Sequence, residues 1–210
     1  MRTLDLTSVL KMTFVLSLLI SMSCSKDEET SEPVSSVRET RVVTSSYTEW
    51  HYFSFEKGWM SELTDFRQSL DWDLAFHRWD VRTNGGASGK GLGGACKLTY
   101  TLLSPETWSV NLATLPLVED ALIKTYMNKP NMGADTEGDQ RSDEPANTEL
   151  GKWLTVGMNS IPPTYTMSPS VFIVRTAVGK YAVMKFLNYM DDKAVKGTVS
   201  FEYIYPFEIN

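Results

Sequence analysis

Two segments near the C-terminus repeat apolar side chains every second residue, and this period restricts the fold more than any other feature of the chain. In Lys180 to Met190 the sets Tyr181, Val183, Lys185, Leu187, Tyr189 and Ala182, Met184, Phe186, Asn188, Met190 alternate, and both are largely apolar. In Thr198 to Phe207, Val199, Phe201, Tyr203 and Tyr205 share one face opposite Thr198, Ser200, Glu202 and Ile204. A period of two is that of a strand. Val171 to Thr176 predicts a third strand, joined to the next by the hairpin-length Ala177-Val178-Gly179, while Asp191-Asp192-Lys193 with Gly197 marks another turn. Three strands with short connections make an antiparallel meander. Upstream, Glu49 to Phe55, Ser69 to His77 and Ala95 to Leu102 are aromatic or β-branched runs bounded by turn residues. Only Leu117 to Tyr126 has apolar residues near helical spacing, which predicts a short helix. The fold expected is all-β, a single-domain antiparallel sheet or sandwich with at most that helix.

Size and charge narrow the function. A chain of 210 residues has room for one core, which leaves out two-domain enzymes. The formal net charge of -6 repels a phosphate backbone, so nucleic acid is not an expected partner. Two cysteines and two histidines are too few for a Cys/His zinc site or a disulfide framework.

The N-terminus points to export. Met12 to Met22 is an uncharged apolar run preceded by Arg2 and Lys11. It falls short of the about 20 apolar residues that span a bilayer, but it suits a cleaved secretory signal covering residues 1–23. Ser21-Met22-Ser23-Cys24 resembles a bacterial lipobox, with Cys24 as the acylated first residue of the mature chain. Residues 24–39 are polar and charged, bury little apolar surface and read as a tether. Asp27-Glu28-Glu29 looks like the signal that sends some lipoproteins to the outer face of the outer membrane. The mature chain carries a charge of -7, and Cys96 is its remaining thiol. The globular domain is expected over residues 40–210.

Several motifs imitate chemistry. Gly89, Gly91 and Gly94 satisfy G-x-G-x-x-G, but a strand follows where the dinucleotide fingerprint needs a helix, so a closely packed glycine loop is expected. His77 invites pairing with Asp73 or Asp80; residues 73 and 77 share a strand face about 13 Å apart at 3.3 Å per residue, too far for a relay, and His77 is expected to be structural. His51 has no partner that sequence can supply. Ten methionines are many, and four of them, Met127, Met132, Met158 and Met167, fall in turn-prone contexts outside the expected strands. Thioether sulfurs in such places are candidate metal ligands.

Five stretches, Trp50 to Gly58, Trp72 to Arg82, Gly89 to Ala95, Val171 to Arg175 and Gly197 to Pro206, resemble the HmuY family of haem-binding lipoproteins, and the likeness runs from about Arg41 to Asn210. It implies a non-enzymatic all-β protein, lipid-anchored and surface-exposed, that captures haem, with host haemoproteins as a source, for a TonB-dependent outer-membrane receptor. In the family's best-known member the iron is held by two histidines on separate loops. Here Met158 falls on the second, after Trp153-Leu154 and before Pro163-Thr164-Tyr165, and Met132 falls on the first. The resemblance therefore implies haem iron held by Met132 and Met158. Neutral, soft thioethers favour ferrous iron and do not titrate. The rival expectation is a carbohydrate-binding or adhesive lipoprotein, using six Trp and nine Tyr to stack on sugar rings. The run Ala134 to Glu149 holds six acids against Arg141, so the propionates are expected near Lys124 or Lys129, with the acidic stretch as a solvated loop.

Overall fold

The computed structural model describes residues 36–131 and 138–208. In chain order the strands are β1 (Arg38–Val43), β2 (His51–Ser54), β3 (Gly58–Trp59), β4 (Leu74–His77), β5 (Asp80–Thr83), β6 (Gly94–Lys97), β7 (Ala121–Thr125), β8 (Ser142–Ala146), β9 (Leu154–Gly157), β10 (Thr164–Met167), β11 (Val171–Arg175), β12 (Tyr181–Met190) and β13 (Lys196–Ile204). The meander is present: β11, β12 and β13 pair antiparallel, flanked in the order β1-β13-β12-β11-β6. A second sheet has the order β3-β2-β4-β5, and β7–β8 and β9–β10 are separate two-stranded hairpins. Among the described residues no helix is long and apolar enough to cross a membrane.

The two larger sheets bury one aromatic core between them. Phe201 sits near its centre, edge-on to Phe53 at 5.4 Å and stacked with Phe76 at 5.3 Å. Each ring is fully buried, and burying one contributes about 1.5–3 kcal/mol. On its other face the five-stranded sheet buries Val171, Ile173, Val183 and Ile204 beneath Leu98, Tyr100, Trp108 and Leu112. That second cover explains why β12 is apolar on both sides.

A bulge breaks the alternation of β12. Its pairing with β13 shifts register between Phe186 and Asn188 and again before Met190, where the Asn188 side-chain oxygen Oδ1 accepts from the Tyr189 and Met190 backbone amides. Tyr189 therefore leaves the set expected from its number and turns inward with Ala182, Met184 and Phe186.

Four further expectations need correction. Leu117 to Tyr126 is not a helix: Val118 bridges Ala95 and residues 121–125 form β7. The helical spacing misled because Leu122 is 65% exposed and belongs to no buried stripe, while Ile123 and Thr125 are β-branched. The acidic stretch is not wholly a loop, since Ser142–Ala146 is β8, in which Asp143 meets Lys124 and Glu144 meets Arg82. Met167 does not avoid the strands; it ends β10 and packs against the core. The sheet also starts before residue 40, because Arg38 and Glu39 already pair with Tyr203 and Glu202. The glycine loop is closely packed: a Cβ on Gly93 would lie 2.5 Å from the Asn84 backbone.

Candidate functional site

β4 and β5 are joined by a two-residue turn, Arg78-Trp79, between the paired His77 and Asp80. Arg78 has φ of 52°, a left-handed backbone that glycine adopts freely and other L-residues adopt at a cost of about 1–2 kcal/mol. His77 is fully buried and stacked on Trp50. Its Nε2 donates to the Tyr47 carbonyl at 2.8 Å, and its Nδ1 lies 3.6 Å from Asp80 Oδ2. His77 is thus structural, as expected, its tautomer set by a backbone acceptor.

The turn touches both hairpins. Asp80 accepts a hydrogen bond from the Thr125 hydroxyl, at the end of β7 where the chain leaves for the 126–141 connection. Trp79 meets β9–β10 twice: its carbonyl accepts from the Trp153 indole at 2.8 Å, and its ring lies 6.4 Å from Tyr165 on β10. Tyr189, turned inward by the bulge, completes the group at 6.3 Å from Trp79 and 5.3 Å from Tyr165. Burial pushes the Tyr189 hydroxyl up to about 12.

A buried polar hub holds the bases of the two hairpins. Asp120 accepts from the Thr83 amide and hydroxyl, the Ser88 hydroxyl and the Asn147 amide group. Asn147 donates in turn to the Val118 carbonyl, while its side-chain oxygen accepts from Glu149 and Leu150 at the start of the 3-10 turn Leu150–Trp153. That turn leads from β8 into β9, so one asparagine connects consecutive hairpins. Burial pushes the Asp120 carboxyl up to about 6, against the four hydrogen bonds that pull it down.

Met158 follows β9 directly, at the tip of its hairpin, and is 63% exposed. Met132 belongs to the 126–141 connection but lies outside the described residues, as does Cys24. Met127, in the same connection, is half-buried. Lys124, expected near the propionates, is occupied by Asp143 at 2.8 Å. Cys96 is a buried free thiol whose proton burial makes harder to lose. Among the described residues no three His, Cys, Asp or Glu side chains converge to hold a metal ion.

The sequence profile described as HmuY protein matches residues 46–203. The chain belongs to the HmuY family. No curated protein matches it. Among solved structures it is similar to a candidate HmuY-like haem-binding protein of Bacteroides vulgatus ATCC 8482, with TM-score 0.67 and 28% identity over 85% of this chain and 96% of that one. It also resembles a candidate lipoprotein of Bacteroides fragilis NCTC 9343, with TM-score 0.64 and 27% identity over 85% and 95% of the two chains. The apo HmuY analogue of Tannerella forsythia shares the fold, with TM-score 0.63 and 24% identity over 84% and 100%. Within this HmuY-family fold, Trp72 and Trp153 are fully buried and Trp59, Trp79 and Trp108 pack against core clusters, which leaves few rings free to stack on sugars. Trp79, Tyr165 and Tyr189 were not identified from sequence. The pair Arg78-Trp79 between two strand-like runs was the available signal for a turn.

Proposed function

We propose that this HmuY-family chain is a surface lipoprotein that holds haem iron between the thioethers of Met132 and Met158, prefers ferrous haem, and passes it to a TonB-dependent outer-membrane receptor. Host haemoproteins are the proposed source. Residues 1–23 would be removed and Cys24 acylated, leaving residues 24–37 as the tether of a domain whose first strand opens at Arg38.

One observation carries the reading: Met158 presents an exposed, neutral sulfur at the tip of β9–β10, and Met132 belongs to the connection of the preceding hairpin, both hairpins meeting the Arg78-Trp79 turn. The donor set fits haem, because two thioethers add no charge and suit ferrous iron, while Trp79 and Tyr165 offer flat apolar surface. When bound, haem would supply a redox-active iron. The chain's own part would be to hold the group through two thioether sulfurs, to exclude water with aromatic side chains and to keep the hairpins at a common base.

The test is titration with haemin, with and without dithionite, of wild type and of Met132→Ala, Met158→Ala, Met127→Ala and Met167→Ala variants. The first two should each weaken binding and shift the Soret band, and the last two should not. Equal affinity for ferric and ferrous haem, or an unchanged spectrum in the Met132→Ala, Met158→Ala double variant, overturns the assignment.

A further inference from the structure

We propose that Arg78 and Lys196 form the acid-binding edge of this site and receive the two propionate carboxylates of the porphyrin, an inference that rests on the haem reading above. Lys196 opens β13. Its Nζ lies 4.2 Å from the Tyr165 ring centre and donates to the Pro163 carbonyl, in the tip that carries Met158, at 3.1 Å. An ammonium has three donors, so one engaged carbonyl and one aromatic face leave a donor to spare. The Arg78 guanidinium sits 3.8 Å from the Tyr47 ring centre and 4.8 Å from that of Trp79, and its buried Nε has no partner among the described residues.

The two cations are tied together. The Thr44 hydroxyl donates to the Arg78 carbonyl at 2.7 Å, and the Thr44 amide donates to the carbonyl of Gly197, next to Lys196, at 2.7 Å. Between them lie Trp79 and Tyr165, backed by Tyr189. Neither cation forms an ion pair among the described residues, whereas Lys124, Arg82 and Arg141 each do. An aromatic cluster, Trp79 edge-on to Tyr165 at 64°, bounded by two carboxylate-free cations suits an apolar, dianionic macrocycle, because charge-assisted hydrogen bonds to carboxylates are strong where aromatic side chains exclude water. The left-handed Arg78 agrees with this: the turn keeps a long cationic side chain where glycine would cost less.

The test compares haemin with its dimethyl ester, under reducing conditions, on the full chain and its Lys196→Met, Arg78→Met and Lys196→Arg variants, with thermal unfolding as a control for folding. Wild type should prefer haemin over the ester. Lys196→Met and Arg78→Met should each weaken haemin about tenfold yet leave ester affinity unchanged, and Lys196→Arg should retain haemin. A merely structural role would weaken both ligands equally. Equal loss for both ligands, or no loss in either Met variant while wild type binds haemin, overturns this inference and leaves the methionine assignment standing. Absence of haemin binding by wild type overturns both.

Discussion

The Trp153 indole donates to the Trp79 carbonyl at 2.8 Å, across 74 residues of sequence, and so fixes the base of the β9–β10 hairpin to the turn between β4 and β5. Trp153 is fully buried and stacks on Phe186 with centroids 4.3 Å apart. Trp153→Phe keeps a ring but leaves a cavity and a carbonyl without its donor. The variant should lose about 2–4 kcal/mol in urea unfolding and should weaken haem binding by loosening the hairpin that carries Met158. A loss below about 1 kcal/mol would show the contact to be incidental.

Arg82 is 2% exposed and pairs with Glu144 at 2.5 Å, while its Nε donates to the Pro145 carbonyl, so one buried cation anchors β8 to β5. Burial pulls the guanidinium below its usual range, and Glu144 acts against that. Glu144→Ala leaves the charge without its counter-ion. It should cost about 2 kcal/mol, less than for a fully buried pair because Glu144 keeps some contact with water. Amide exchange should rise mainly in β7 and β8, and uniform acceleration across the five-stranded sheet would contradict the local role.

What the sequence disclosed follows the range of the interactions. β11, β12 and β13 were legible because covering a sheet on both faces makes each strand a short apolar run rich in β-branched and aromatic residues, bounded by turn residues. Tyr189 was assigned to the wrong face because a bulge set by Asn188 shifts the period by one residue, and apolar spacing carries no mark of that. Residues 117–126 misled because Leu122 is exposed and the segment is held by Asp120, whose partners lie 27 to 37 residues away. Met158 is marked by the Trp153-Leu154 pair before it, a feature of the family, and not by periodicity. Trp79, Tyr165 and Lys196 come together only through tertiary pairing, so no local pattern identifies them as a group.

Acidification should stabilise the fold between about pH 6 and pH 4. The Asp120 carboxyl titrates at about 6 in the folded chain, above its ordinary value near 3.8, so between these values the folded state binds more protons than the unfolded. Stability from this group is complete below pH 4, is lost as pH rises through 6, and amounts to at most about 3 kcal/mol. Asp73, raised mainly by burial, adds to the same trend. Asp71 and Asp139 are lowered by Lys57 and Arg141, but these exposed pairs are screened in about 0.5 M salt. Urea unfolding at pH 4.5 and pH 7 under those conditions checks the sign. Asp120→Asn should flatten the slope and destabilise by about 2 kcal/mol, because either amide orientation faces a donor that cannot reverse, the Thr83 N–H or the Asn147 amide.

Replacing Met158 by histidine should convert the redox and pH behaviour of the proposed site together. With two thioethers, neither axial donor titrates, so haem affinity should stay level from pH 8 to pH 5.5 and favour the ferrous form. In Met158→His an imidazole must be neutral to ligate. Affinity should then fall as pH drops through about 6.5, and the preference should move toward ferric haem. Met158 is exposed at a hairpin tip, so the substitution leaves the core intact and thermal unfolding should be unchanged. Haemin titrations at pH 5.5 and pH 8, with and without dithionite, read both effects. If Met158→His binds with the same flat profile and the same ferrous preference as wild type, residue 158 is not an axial ligand.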